Sequence, residues 1–321
     1  MKTIGFLISH KNKENRRALL PEDLEKIKNP HMLFFEEGYG ECCGVNDEDY
    51  LKMGANIEKR ENIFKHDVIC DVKLGDADYL DKIEDSKILF GWAHAVQNLD
   101  FTTEIIKKKS TVIAWEEMYE EGRYIFYRNR ELAGEAGILQ AILYSGLMPY
   151  DAKIAILGNG QTAKGVLRVL SGLGAQVDVY NRKLEKLFVK KMEEYDILVN
   201  CIMWDTNRKD RIIYKNDLKR LKKGCMIVDI SCDPNLEIET THATTISNPI
   251  YVIDGITHYA VDNTPSIFYR TTTKTISNAV SKFIDNVIEE NYNDTINNAI
   301  VIKNGTIVDK RIEEFRKRRG Y

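Results

Sequence analysis

KIAILGNGQTAKGVLRVLSGLGAQVDVYN, residues 153–181, decides the fold. Lys153–Leu157 is a continuous apolar run of strand length. From Gln161 to Leu173, apolar residues stand at 163, 166, 167, 169, 170 and 173, which is helical spacing. Gly174 stops that helix as a C-cap would, and Gln176–Tyr180 is a second strand. Strand, glycine turn, helix and strand make one complete βαβ unit. The turn carries G-x-G-x-x-A at Gly158, Gly160 and Ala163. Gly158 permits the tight turn, Gly160 lets backbone approach a pyrophosphate, and Ala163 is small enough for helix–strand packing. The helix N-terminus then offers N–H groups and positive dipole potential to phosphates. Gly158, Asn159, Gly160, Gln161, Thr162 and Ala163 are therefore candidate dinucleotide-binding residues.

An NAD site places a carboxylate at the end of the second strand, where it takes the ribose hydroxyls. Here that position is Asn181, followed by Arg182 and Lys183. The missing acid and the two added cations favour a 2′-phosphate, so the expected cofactor is NADP(H), held partly by Asn181, Arg182 and Lys183.

Upstream of the unit, ELAGEAGILQAILYS (131–145) predicts a long helix joining two domains, its Ala and Gly content permitting close packing. The N-terminal part alternates short strands and helices. The strands expected are Thr3–Ser9, Met32–Glu36, Val68–Val72, Ile88–Trp92, Thr111–Ala114 and Tyr124–Tyr127. The helices expected are Pro21–Lys28, Asp47–Met53 and Phe101–Lys108. Downstream, strands are expected at Ile197–Ile202, Met226–Ile230 and Tyr251–Ile253, and a last long helix from about Thr273. A hairpin is expected around Asn304-Gly305, followed by a solvated tail, EEFRKRRGY. This order predicts an α/β protein of two Rossmann-like domains with parallel sheets and a cleft between them. The substrate domain is expected over 1–133 plus 276–321. The dinucleotide domain, 134–275, is inserted in it.

Length and composition agree. At roughly 150 residues per domain, 321 residues give two domains. Lys+Arg 46 against Asp+Glu 49 argues against a dedicated nucleic-acid binder. No apolar stretch reaches the ~20 residues of a spanning helix, and Ile4–Ile8 is too short for a signal core. The expected location is the cytoplasm, without nucleic-acid or membrane partners. Cysteines 42, 43, 70, 201, 225 and 232 form no C-x-x-C pair. They read as small buried hydrophobes in a reducing compartment, with Cys42-Cys43 in a turn. No metal-ligand spacing is present.

Four segments suit a ligand site, each near the carboxyl end of a strand, where open α/β sheets bind ligands. They are ENRRAL (14–19), Lys73 after VICDV, His94 after ILFGWA, and Asp233 after MIVDI. Arg and Lys suit a carboxylate, and His suits proton transfer near neutrality.

KENRRALLPEDL, DVICDVK, ILFGWAHAVQN, the glycine loop, GCMIVDISCDPNLEIETTHATT and DGITHYAVDNTPS, in this order, resemble the alanine dehydrogenase and pyridine nucleotide transhydrogenase superfamily. The resemblance covers nearly the whole chain. Within it, RNRELAGEAGILQA and VYNRK are most similar to the NADP-using branch that joins pyruvate to the side-chain amine of ornithine or lysine. The resemblance implies an NADPH-dependent oxidoreductase giving N-(1-carboxyethyl) amino acids, working as a homo-oligomer. It implies that Arg16 and Lys73 bind the keto acid, that His94 donates and accepts protons, that Asp233 is catalytic beside the nicotinamide, and that Asn263 is close to the cofactor. Arg17 stands where relatives often carry an apolar residue, which leaves the choice between Arg16 and Arg17 to the structure. The alternatives are alanine dehydrogenase, saccharopine dehydrogenase, or a non-catalytic NADPH-binding protein. Retention of Arg16, Lys73, His94 and Asp233 argues against the last.

Overall fold

The computed structural model describes residues 1–204, 208, 210–232 and 236–321. The chain divides into two compact units, Met1–Tyr127 with Tyr269–Tyr321, and Arg128–Phe268. The divisions fall at 127/128 and 268/269, where long helices begin, rather than at 133/134 and 275/276.

In the first unit the chain runs β1 (Ile4–Phe6), α1 (Pro21–Leu24), β2 (Leu33–Glu36), α2 (Asp47–Lys52), β3 (Asn56–Glu58), α3 (Arg60–Ile63), β4 (Val68–Cys70), β5 (Ile88–Gly91), α4 (Leu99–Lys107) and β6 (Thr111–Ala114). A short hairpin, β7 (Tyr119–Glu120) with β8 (Arg123–Tyr124), leads to α5 (Tyr127–Ile142). The expected strand at 124–127 is thus corrected. Tyr124 ends a hairpin strand, and Tyr127 already begins the helix.

The second unit holds β9 (Lys153–Leu157), α6 (Gln161–Gly172), β10 (Gln176–Tyr180), α7 (Glu185–Lys191), β11 (Ile197–Asn200), β12 (Met226–Asp229), β13 (Ile250–Ile253) and β14 (Ile256–Tyr259). Its sheet order is β10-β9-β11-β12-β14-β13, parallel except for the antiparallel edge strand β13. β14 was not anticipated. It pairs with β13 across Asp254-Gly255, whose φ values are +49° and +80°. The strand order reverses beside β9, so its carboxyl end lies at a switch point, where sheets of this kind bind ligands.

The chain returns to the first unit through α8 (Tyr269–Ile288), α9 (Asp294–Asn298), the hairpin β15 (Ile300–Lys303) and β16 (Thr306–Ile307), and α10 (Lys310–Arg318). The eight-stranded sheet runs β16-β15-β6-β5-β4-β1-β2-β3, with β1 to β6 mutually parallel and β15 antiparallel to β6. The tail is not simply solvated. α10 buries Ile312 against a core containing Val301 and Ile302. α8 buries Ile276, Val280, Phe283, Ile284, Val287 and Ile288 on one face. Among the described residues no helix is long and apolar enough to cross a membrane.

Candidate active site

In the second unit, Gly158 sits at φ +108°, and a Cβ there would lie 2.9 Å from the Cys201 carbonyl oxygen. Backbone conformation and close approach both demand glycine. Gly160 caps α6 with extended backbone, and a Cβ on it would meet no protein atom within 4 Å. Protein packing therefore does not explain Gly160, and the loop leaves open space at this position. The loop borders a cavity of about 580 Å³ lined by Gly158 to Thr162, Asn181, Arg182, Arg130 and Ser231, among others. Arg130 was not anticipated, because its helical neighbours hid the face it takes. The first-turn N–H groups of α6 and the cavity size fit a dinucleotide pyrophosphate.

Asn181 Oδ1 accepts from Lys183 N at 2.9 Å, capping the turn that follows β10 and fixing the backbone of Arg182 and Lys183. Ala163 is buried in the helix–sheet core. On the opposite side of β9, buried Asp229 accepts from Asn200 Nδ2 (2.9 Å), Thr241 Oγ1 (2.7 Å), Ser231 N (3.1 Å) and Cys232 N (3.2 Å). Burial pushes its carboxyl above the ordinary range. This carboxyl orders the turn after β12 that leads to Asp233, which lies outside the described residues. Asn263 takes a left-handed conformation, φ +67°, at the turn before Thr264. Thr264 Oγ1 in turn donates to the Ala133 carbonyl at 2.9 Å.

In the first unit, β5, β4 and β1 are neighbours, and their carboxyl ends bring three candidate segments together. Gly75 N donates to Trp92 O at 2.9 Å, and Asn98 Nδ2 donates to Gly75 O at 2.7 Å. The Arg16 guanidinium lies 5.1 Å from the Trp92 ring centroid. Arg16 is 2% exposed and Glu14 3%. Glu14 grips the Arg16 side chain by Nε at 2.9 Å and Nη2 at 2.6 Å, and also accepts Arg16 N at 2.9 Å. A desolvated, bidentately held guanidinium is fixed in direction. Arg17 instead gives Nε to the Tyr39 carbonyl and Nη1 to the Arg16 carbonyl at 2.9 Å, so its guanidinium braces backbone.

Lys73, 7% exposed, pairs with Asp76 at 3.5 Å. Its N–H rests on Asp71 Oδ1 at 2.8 Å, and Asp71 also accepts from Tyr79 OH at 3.0 Å. Complete burial raises the Asp71 carboxyl to about 6. His94 is exposed, at φ +47°, beside Gln97, Asn98 and Asp100. Half-buried Glu116 accepts Ala93 N at 3.1 Å and also the His94 backbone N–H; desolvation raises its carboxyl. Glu14, Asp71 and Glu116 thus hold the three segments. Glu14 lay inside the quoted motif and Asp71 two residues before Lys73. Glu116 had no local signal.

The family model described as "Alanine dehydrogenase/PNT, N-terminal domain" matches residues 9–125, and "Alanine dehydrogenase/PNT, C-terminal domain" matches 181–311. The N(5)-(carboxyethyl)ornithine synthase of Clostridium botulinum strain Hall is 33% identical over 310 residues, 91% of this chain and 97% of the relative. The enzyme of the same name from Lactococcus lactis subsp. lactis IL1403 is 32% identical, over 88% of this chain and 95% of the relative. A solved L-alanine dehydrogenase superposes with a TM-score of 0.86 at 19% identity, covering 98% of this chain and 99% of the other.

Proposed function

Because the chain belongs to the alanine dehydrogenase/PNT family and is an oxidoreductase acting on CH–NH bonds, we propose that it is an NADPH-dependent synthase. In this reading it condenses pyruvate reductively with the side-chain amine of L-ornithine or L-lysine, giving an N-(1-carboxyethyl) amino acid. The observation that carries the cofactor half of this reading is the second-strand ending. Asn181 and Arg182 line the glycine-loop cavity where NAD sites carry an acid. The substrate half is supported by full-length similarity to two carboxyethylornithine synthases.

NADPH supplies the hydride that reduces the carbon–nitrogen double bond. Gly158 to Thr162 hold its pyrophosphate, and Asn181, Arg182 and Lys183 read its 2′-phosphate, with Ala163 packing the loop's helix and Asn263 close by. Arg16, aimed by Glu14, takes the pyruvate carboxylate by charge-assisted hydrogen bonds. Lys73 polarises the keto oxygen. His94 accepts the amine proton as nitrogen adds to the carbonyl and returns a proton to the departing water. Asp233 carries a supporting catalytic role in this reading.

The test follows NADPH absorbance with pyruvate and each of ornithine, lysine and ammonia. Oxidation with ornithine or lysine and none with ammonia is expected. Oxidation with ammonia alone makes the protein an alanine dehydrogenase. Oxidation with lysine only when 2-oxoglutarate replaces pyruvate makes it a saccharopine dehydrogenase.

A further inference from the structure

Cys42 and Cys43 close a short turn after Gly40, both half-buried, with their sulfurs 3.8 Å apart. Cys42 Sγ donates to the Asn15 carbonyl at 3.2 Å. Cys43 Sγ lies 3.8 Å from Thr273 Oγ1 and lines a cavity of about 440 Å³ with Arg270, Lys274, Glu22 and Asp49. Thr273 Oγ1 already accepts Arg17 N at 3.0 Å, so its hydroxyl hydrogen is available to a thiolate at Cys43. Of the charged groups lining this cavity, Arg270 favours a thiolate at Cys43.

We propose that Cys42 and Cys43 form a peroxide-responsive thiol pair, with Cys43 the attacking sulfur and Cys42 the resolving one. The Cys43 thiolate attacks one oxygen of hydrogen peroxide. The O–O bond breaks, giving a Cys43 sulfenic acid and hydroxide. The Cys42 thiol then attacks the Cys43 sulfur. The S–S bond forms, the S–O bond breaks, and the leaving hydroxide takes up the Cys42 proton as water. Two thiols and one peroxide become one disulfide and two waters.

The electrostatics agree with this division of roles. The contact with the Cys42 sulfur, together with the Thr273 contact and the Arg17 and Arg270 charges, lowers the Cys43 thiol to about 6 against its burial. The same contact raises Cys42, which stays protonated. Tyr50, Asp49 and Glu22 also face this region; Tyr50 is itself raised by burial and is neutral. The other described thiols differ. Cys70, Cys201 and Cys225 are buried and raised by desolvation, and Cys232 Sγ donates to the Asp229 carbonyl at 3.1 Å. A disulfide between adjacent residues is strained, since its Cα atoms sit closer than the usual ~4.4–6.8 Å. It is therefore easily reduced, the character of a regulatory bond.

Closing the bond draws sulfurs from 3.8 Å to about 2.05 Å. It pulls on the Asn15 and Thr273 contacts that flank Arg16. Resting on the function proposed above, oxidation should raise the KM for pyruvate several-fold, with dithiothreitol restoring it.

The test treats the full-length protein with hydrogen peroxide and reads intact mass and peptides. Loss of two hydrogens on the peptide holding both cysteines, reversed by dithiothreitol, is expected. Cys42→Ser should stop at a dimedone-trapped sulfenic acid on Cys43, and Cys43→Ser should form neither product. Iodoacetamide at pH 6 should label Cys43 about tenfold faster than an ordinary thiol, its larger thiolate fraction outweighing its lower nucleophilicity. First modification at Cys232 or a buried thiol, or an unmodified pair, overturns the proposal. A disulfide that leaves the pyruvate KM unchanged removes the link to Arg16. A reduced protein that ignores pyruvate yet forms the disulfide defeats the proposed reaction and not the thiol pair.

Discussion

Cofactor choice rests on single side chains after β10. The Asn181 cap on Lys183 N holds the turn without presenting a carboxylate to a ribose diol, and Arg182 on the cavity wall can fork two hydrogen bonds onto a phosphate. A charge-assisted bond contributes about 1.5–3 kcal/mol. Arg182→Ala should therefore weaken NADPH binding roughly tenfold or more and leave NADH nearly unchanged in fluorescence titrations. Equal losses for both cofactors would show that Arg182 only supports the loop. Asn181→Asp keeps an oxygen for the Lys183 cap, so the double variant Asn181→Asp, Arg182→Ala should tilt binding to NADH without losing the turn. A second residue-scale consequence concerns Asp71. Burial raises its carboxyl from 3.8 to about 6. Between those values the folded chain binds a proton that the unfolded chain releases, so stability falls as pH rises through this window and the full loss persists above it. The raised value corresponds to about 3 kcal/mol. Asp71→Asn, neutral throughout, keeps an acceptor for Lys73 N and lacks this term. Its stability relative to wild type should climb by about that amount between pH 4 and pH 7 in denaturant titrations. A difference that stays flat across the window would mean Asp71 is charged at low pH in the folded state.

At the scale of elements, two glycines of one helix region separate ligand from packing. A Cβ on Gly165 of α6 would lie 2.0 Å from the Glu131 carbonyl of α5, whereas one on Gly160 meets nothing. Gly165→Ala should cost about 1–3 kcal/mol through overpacking. Gly160→Ala should unfold like wild type yet lose dinucleotide affinity. Thermal melts with and without NADPH decide this, and a Gly160→Ala protein that binds NADPH normally would empty the loop of its proposed role. The same contrast explains what was legible in the sequence. β9 and β6 were readable to the residue because buried parallel strands are continuous apolar runs with clear punctuation, and the edge strand β10 because its apolar residues alternate with exposed polar ones. β3 (Asn-Ile-Glu) was invisible, being short, half-buried and at the sheet edge. β14 was overlooked although Asp254-Gly255 is a two-residue hairpin signal of the same kind as Asn304-Gly305. Its strand ITHY carries His258, buried and bonded to Thr240 Oγ1 at 2.8 Å and to the Ile256 carbonyl at 3.0 Å, a tertiary satisfaction no local pattern reveals. For the candidate site, the charged residues within motifs could be named. The long-range partner Glu116, more than twenty residues from His94 in the chain, could not, because only the fold makes them neighbours.

Over the whole molecule, the first unit depends on both ends of the chain. α8 is tied to the N-terminal segment by Leu20 N to Ser277 Oγ at 2.8 Å and by Ser277 Oγ to Asp23 Oδ2 at 2.5 Å. Asn29 Nδ2 adds a bond to Asp285 Oδ1 at 3.0 Å. Six apolar side chains of α8 are buried in the same core as β1, β2 and β4. At about 1.5–3 kcal/mol each, they supply on the order of 10 kcal/mol, as much as the net stability of a typical domain. β15 also covers the β6 edge, which would otherwise expose unpaired backbone groups. A chain ending at Phe268 retains every residue of β1 to β6, the glycine loop, Arg16, Lys73 and His94, yet it lacks this helix and this strand. It should therefore lose slow hydrogen exchange throughout β1, β2, β4, β5 and β6. Adding residues 269–321 as a separate peptide should restore protection in those strands if association overcomes the entropy of joining two chains. Amide exchange read by mass spectrometry measures both. If β4 and β5 in the truncated chain exchange as slowly as in the intact protein, the N-terminal segment has a self-sufficient core, and the return crossing serves some purpose other than completing it.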